Sequence, residues 1–115
     1  MKEIYGIEQL DDFILENIEN STVICIYFGA KWCGPCNQLK KKLGESDTIE
    51  IMPKLVVCYL DIENKLNDDL VNKYNIKSLP TIVFVKLDNT KVIPVSRIEG
   101  YDFTKLKLEY DNYLN

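Results

Sequence analysis

The sequence predicts an α/β fold, a central mixed sheet of five strands flanked on its two faces by four helices. Two observations carry this. Apolar runs of strand length alternate with stretches whose apolar residues recur at three and four, in the order β-α-β-α-β-α-β-β-α. The last two strand-like runs are separated only by a short turn at Asp88-Asn89, which makes them an antiparallel hairpin, whereas strands joined through helices favour parallel pairing.

Taken in order, Ile4 and Tyr5 are placed in a short first strand. Ile7, Leu10, Phe13, Ile14 and Ile18 line one face of a helix, punctuated by Asn20 and Ser21. Residues 22–28 are β-branched and aromatic with almost no polar interruption, the pattern of a strand buried on both faces. A second helix carries Leu39 and Leu43, with Pro35 in its first turn, where a missing N–H costs nothing. It breaks near 44–47, and a turn leads to Pro53. Residues 55–60 form the next strand, and Leu66, Leu70, Val71 and Tyr74 form a helical stripe. Residues 81–87 and 91–98 are the hairpin. Phe103, Leu106, Tyr110 and Tyr113 share one face of a last helix.

The chain of 115 residues is expected to be a single domain, 1–115, with enough apolar residues (46%) for one core and a charged fraction (28%) typical of soluble proteins. A formal net charge of −4 repels phosphate backbones, so nucleic acid is not expected as a partner. No apolar run approaches the roughly 20 residues of a membrane span, and the first residues lack a signal core and cleavage site. The expectation is a complete, unexported, cytoplasmic chain that makes no membrane contact.

Four cysteines and no histidine narrow the chemistry. Without histidine there is no Ser-His or Cys-His dyad and no mixed Cys/His zinc site. Cys25 and Cys58 stand alone inside apolar runs, while Cys33 and Cys36 bracket Gly34-Pro35 where a strand gives way to a helix. The free N–H groups and dipole of a helix start favour an anion, so Cys33 is expected to be exposed there, with a thiol pKa below the ordinary value of about 8.5. Cys36, one turn further in, keeps its proton longer. Attack by Cys33 on a disulfide and displacement by Cys36 is the chemistry such a pair performs. A lone Cys-x-x-Cys is also half a zinc site. Only Cys25 and Cys58 could complete one, and both lie mid-strand, so no metal is expected.

Ala30-Lys31-Trp32-Cys33-Gly34-Pro35-Cys36 resembles the active-site signature of thioredoxins. Tyr74-Asn75-Ile76-Lys77-Ser78-Leu79-Pro80-Thr81 resembles that family's second signature, and Gly100 matches the glycine after its hairpin. The likeness spans essentially the whole chain. It implies a thioredoxin-like three-layer sandwich and a reductase of protein disulfides with no cofactor of its own. It further implies a monomer recharged by a flavin-dependent thioredoxin reductase or an equivalent electron donor. Cys33 and Cys36 would be catalytic in an active-site loop with Trp32, Gly34 and Pro35. A cis Leu79–Pro80 bond would lie opposite the cysteines, and Trp32, Leu79, Pro80 and Gly100 would bind the disulfide-containing client protein.

The chain departs from the family in one respect. Where thioredoxins carry a buried carboxylate ahead of the first cysteine, often paired with a lysine on the next strand, this chain has Tyr27 and Tyr59. A buried tyrosine is a feeble base near neutrality, so slower resolution, or solvent acting as base, is expected. Packing beneath the site is the plainer role for both tyrosines, and Asp61, the nearest substitute carboxylate, is expected at the surface. Period-two alternation puts Cys25 with Tyr27 on one face and, in the family register, Cys58 on the other, both as free core thiols. Lys40-Lys41-Lys42 is expected to be a solvated helix face. Two alternatives stay open. One is a disulfide oxidase or isomerase, disfavoured by Gly34-Pro35 and the lack of histidine. The other is a binding module or subunit of a larger assembly in which the redox pair is dispensable.

Overall fold

The computed structural model describes residues 1–18 and 22–114. Among them, one sheet runs in the order β1-β3-β2-β4-β5, from β1 (Lys2–Glu3), β2 (Val23–Gly29), β3 (Leu55–Asp61), β4 (Thr81–Asp88) and β5 (Lys91–Glu99). All seven residues of the central β2 are buried, which is why it carries no polar alternation. β1 and β2 flank β3 in parallel, and β4 pairs antiparallel with both β2 and β5.

The helices are α1 (Ile7–Asn17), α2 (Gly34–Leu43), α3 (Ser46–Ile51), α4 (Asp68–Lys73) and α5 (Phe103–Tyr113), with a 3₁₀ turn at Lys65–Asn67 before α4. Alternation along β2 divides the core. Cys25 and Tyr27 face Leu39 of α2 and Leu106 and Tyr110 of α5. Ile24, Ile26 and Phe28 face Leu10 and Ile14 of α1 and Leu70 of α4. The result is the expected three-layer α/β sandwich, in which each buried Leu or Ile contributes about 1.5–3 kcal/mol of transfer free energy.

Four details differ from the sequence reading. Residues 46–51 form a fifth helix where a turn was expected. It buries only Thr48 and exposes Ile49 and Ile51, so it has no apolar stripe to be read. The first strand is Lys2–Glu3, with Ile4 just beyond it, its N–H on the Tyr59 carbonyl at 2.9 Å. Leu66 leaves the expected stripe and is 66% exposed, because the chain is still in the 3₁₀ turn there. Finally, β4 follows a helix yet runs antiparallel to its neighbour β2. The register sets Thr81 opposite Phe28, so the chain enters β4 at the end of the sheet where β2 and β3 stop. The expected helix stop at Asn20 and Ser21 lies outside the described residues.

Candidate active site

β2 delivers the chain to the sheet's end, where residues 30–33 turn into α2. Cys33 is the N-cap of that helix. Its extended backbone (φ −83°, ψ 110°) lets Sγ accept the Cys36 N–H at 3.2 Å, and Pro35 sits in the first turn. Cys33 N–H donates to the Ala30 carbonyl at 3.2 Å, and the Asn37 side chain donates to the Lys31 carbonyl at 3.0 Å, so the loop is held from both ends. Cys33 and Cys36 are joined as a disulfide with Cα atoms 5.2 Å apart, within the usual span.

Cys33 was expected to stand free in solvent, but it is only 6% exposed, against 1% for Cys36. Its sulfur turns inward, toward the bond with Cys36 and the Cys36 N–H. It is reached through a cleft of about 460 Å³ whose walls include Trp32, Gly34, Pro35, Ile62, Ile76 and Leu79. Trp32 forms an outer lip, 67% exposed. The Leu79–Pro80 bond is cis. Pro80 is buried and is not on the cleft wall, nor is Gly100. Gly100, at φ +90°, donates its N–H to the Pro80 carbonyl at 2.7 Å and so backs the loop from behind. The structure thus gathers Trp32, Cys33, Gly34, Pro35 and Leu79 on one cleft, with Pro80 and Gly100 supporting it.

Beneath the disulfide lie the two tyrosines. Tyr27, fully buried, donates its hydroxyl to the Cys36 carbonyl rather than to a sulfur. Its ring meets Tyr59 edge-on, 5.1 Å between centroids at 89°. Burial pushes the Tyr59 hydroxyl up to about 12, helped by the nearby charge of Asp61. Burial, and then Tyr59, pushes Tyr27 higher still. Lys40 and Lys41 are exposed, as expected of a solvated helix face, and the Lys40 ammonium also lies 4.3 Å from the centre of the Tyr59 ring. Lys42 pairs with Glu45 at 3.4 Å and lies over Phe103. Asp61 is another correction, being 8% exposed rather than a surface residue. Its carboxylate accepts the Glu63 N–H at 2.9 Å.

Cys25 and Cys58 are free and buried on opposite faces of the sheet, as expected. Burial pushes Cys58 up to about 12 and Cys25 well above its ordinary value.

Five residues were not assigned to the site from sequence. Ile62, Val71, Ile76 and Lys77 line the cleft, brought together from the turn after β3, from α4 and from the loop before β4. Arg97 on β5, the only arginine in the chain, donates Nη1 to the Tyr74 carbonyl at 2.7 Å and Nη2 to the Asn75 carbonyl at 3.4 Å. It thereby pins the segment that leads to Leu79. No spacing signals such a residue. Its arginine identity was the only clue.

A thioredoxin family model matches residues 7–107. The chain is 33% identical over 87 residues to Thioredoxin-T of Drosophila melanogaster, covering 75% of this chain and 54% of that protein. It is 32% identical over 100 residues to Thioredoxin 3 of Plasmodium falciparum, covering 87% and 52%. It thus spans about half the length of these two relatives. With a thioredoxin of Buchnera aphidicola it shares 32% identity over 108 residues, covering 90% of this chain and 96% of that one. Among solved structures, Trichomonas vaginalis thioredoxin shares the fold at a TM-score of 0.80 with 22% identity, covering 98% and 96% of the two chains. Fasciola hepatica thioredoxin superposes at 0.77 with 26% identity, covering 98% and 99%.

Proposed function

The chain belongs to the thioredoxin family, and from that premise we propose that it reduces protein disulfides by dithiol exchange. Cys33 is the attacking thiolate and Cys36 the resolving thiol. The observation that carries this reading is the seat of the Cys33 sulfur. It lies at the N-terminus of α2, bonded to Cys36, with the Cys36 N–H directed at it and a cleft leading to it. In the reduced state that N–H and the helix dipole favour a thiolate on Cys33. The thiolate attacks a client disulfide, forming a Cys33–client bond and expelling one client thiolate. Cys36, deprotonated, then attacks Cys33, forms the internal disulfide and releases the second client thiolate. Trp32 and Leu79 offer an apolar surface to the segment around the client cysteine, with Pro80 and Gly100 holding that surface in place.

In this reading the domain spans 1–115, works as a cytoplasmic monomer without a cofactor of its own, and is returned to the dithiol by thioredoxin reductase or an equivalent donor. Two free buried thiols beside one disulfide support a reducing compartment. The test is a turbidity assay on a model protein disulfide with dithiothreitol as donor. Cys33→Ser is expected to abolish reduction. Cys36→Ser is expected to accumulate a client adduct on Cys33, visible by intact mass. Full activity in Cys33→Ser would overturn the proposal, and a parent that binds clients but reduces none would favour a binding module.

A further inference from the structure

We propose that Tyr27 is a positioning residue for Cys36, its hydroxyl tying the first turn of α2 to the central strand and so governing how readily Cys36 closes onto Cys33. The inference rests on reading the pair as a cycling dithiol, and it assigns to a residue outside the motif a share in the closing step.

Both backbone polar groups of Cys36 are engaged. Its carbonyl accepts the Tyr27 hydroxyl, and its N–H points at Cys33 Sγ at 3.2 Å. The peptide unit whose carbonyl Tyr27 holds also donates its N–H, that of Asn37, to the Cys33 carbonyl at 3.1 Å. One hydroxyl therefore acts, through a single peptide unit, on the backbone of both cysteines, and hydrogen bonds in such a series reinforce one another. Cys33 and Cys36 sit on a loop and a helix start. Tyr27 sits on the most deeply buried strand of the sheet. The tie thus anchors the first turn of α2 to the central strand.

Tyr27 is itself locked. The Tyr59 ring abuts it edge-on at 5.1 Å, and the Lys40 ammonium lies 4.3 Å over the Tyr59 ring. Gly29 leaves the space these rings need, since a Cβ there would lie 3.0 Å from each. Burial raises the Tyr27 hydroxyl above its ordinary pKa of 10, so near neutrality it remains a neutral donor and carries no proton to or from sulfur.

The step affected is closure. The Cys36 thiol gives its proton to water, and the resulting thiolate attacks Cys33. The Cys33–client S–S bond breaks as the Cys33–Cys36 bond forms, and the client leaves as a thiolate that takes up a proton. The rate and equilibrium of this step depend on how often Cys36 Sγ is presented to Cys33. The first attack, by Cys33 on the client, does not.

Tyr27→Phe removes only the oxygen and keeps the ring. In a glutathione redox buffer its closure equilibrium is expected to shift about fivefold toward the dithiol, the worth of one neutral hydrogen bond. A Cys33–glutathione mixed disulfide is expected to live about fivefold longer by rapid quench, while initial attack on glutathione disulfide changes less than twofold. The pH profile of closure from 6 to 9 keeps its midpoint, because no ionisation is removed. Tyr59→Leu leaves the hydroxyl but frees the Tyr27 ring, so it slows closure in the same direction. It supplies the measurement if Tyr27→Phe does not fold. Closure in folded Tyr27→Phe at the parental rate and equilibrium would overturn the proposal. So would loss of an ionisation from its pH profile, which would make Tyr27 a proton carrier. If the parent fails to reduce protein disulfides while its closure still depends on the Tyr27 hydroxyl, the functional reading falls and the positioning role stands.

Discussion

Replacing Gly29 with alanine tests the packing under the disulfide most directly. Gly29 ends β2, and an added Cβ would lie 3.0 Å from Cε1 of Tyr27, 3.0 Å from Cε1 of Tyr59 and 3.4 Å from Cβ of Cys36. Carbon atoms rest comfortably at about 3.5–4.0 Å, so each ring must retreat by about half an ångström. Neither retreats freely. Tyr27 is enclosed by the core and bonded to the Cys36 carbonyl, and Tyr59 has the Lys40 ammonium over its face. Overfilling a packed site of this kind costs about 1–3 kcal/mol. The loss of chain freedom in the unfolded state returns about 0.4–1 kcal/mol. The midpoints of the two ranges leave a net destabilisation of about 1.3 kcal/mol, or a fall in Tm of about 5 °C for a chain of this size. Urea unfolding of the oxidised protein, followed by circular dichroism, measures it. Equal or greater stability in Gly29→Ala would refute the argument, because it would mean that the tyrosine rings have room the structure denies them.

Stability is also expected to fall in alkali. Cys58 is pushed up to about 12 on folding, Tyr59 from 10.0 to about 12, and Cys25 shifts in the same direction. The folded chain thus keeps protons that the unfolded chain releases. This stability is fully present below pH 9 and is lost as pH climbs from 9 toward 12, by up to about 1.4 kcal/mol per pH unit for each such group. Urea midpoints between pH 7 and 10.5 check this, and a midpoint unchanged across that range would contradict it. Arg97→Ala removes two contacts between β5 and the end of α4. It is expected to cost about 1–2 kcal/mol and to raise KM for a protein disulfide several-fold with kcat nearly kept. Parental KM in the folded variant would show that the loop before Leu79 holds its shape without the clamp.

Much of this architecture was legible in the one-dimensional pattern. The unbroken apolar run at β2 announced a strand covered on both faces, because a residue type with no polar alternation has no solvent side to occupy. The cysteine pair was legible because thiol chemistry at a helix start depends on local identity and spacing, while Trp32 and the Leu79-Pro80 segment were legible only through the resemblance to thioredoxins. Alternation, together with the strand register implied by the resemblance to thioredoxins, also assigned Cys25 and Cys58 to opposite faces correctly. Where the sequence reading fell short, the missing information was non-local. Helix α3 buries a single residue and so leaves no periodic trace. The direction of β4 depends on which end of the sheet the connection through residues 62–80 returns to, which no apolar stripe encodes.

What residue order alone could establish was most of the elements and the Cys33-x-x-Cys36 pair at the start of a helix, since backbone preference, side-chain period and thiol chemistry act over a few neighbouring positions. The inward turn of the Cys33 sulfur, the hold of Tyr27 on the Cys36 carbonyl, the burial of Asp61 and the grip of Arg97 on the loop before Leu79 were decided only in three dimensions. The bonds of Tyr27 and Arg97 join groups from separate elements, and which atoms come within hydrogen-bonding distance, or out of reach of water, is set by how the layers pack.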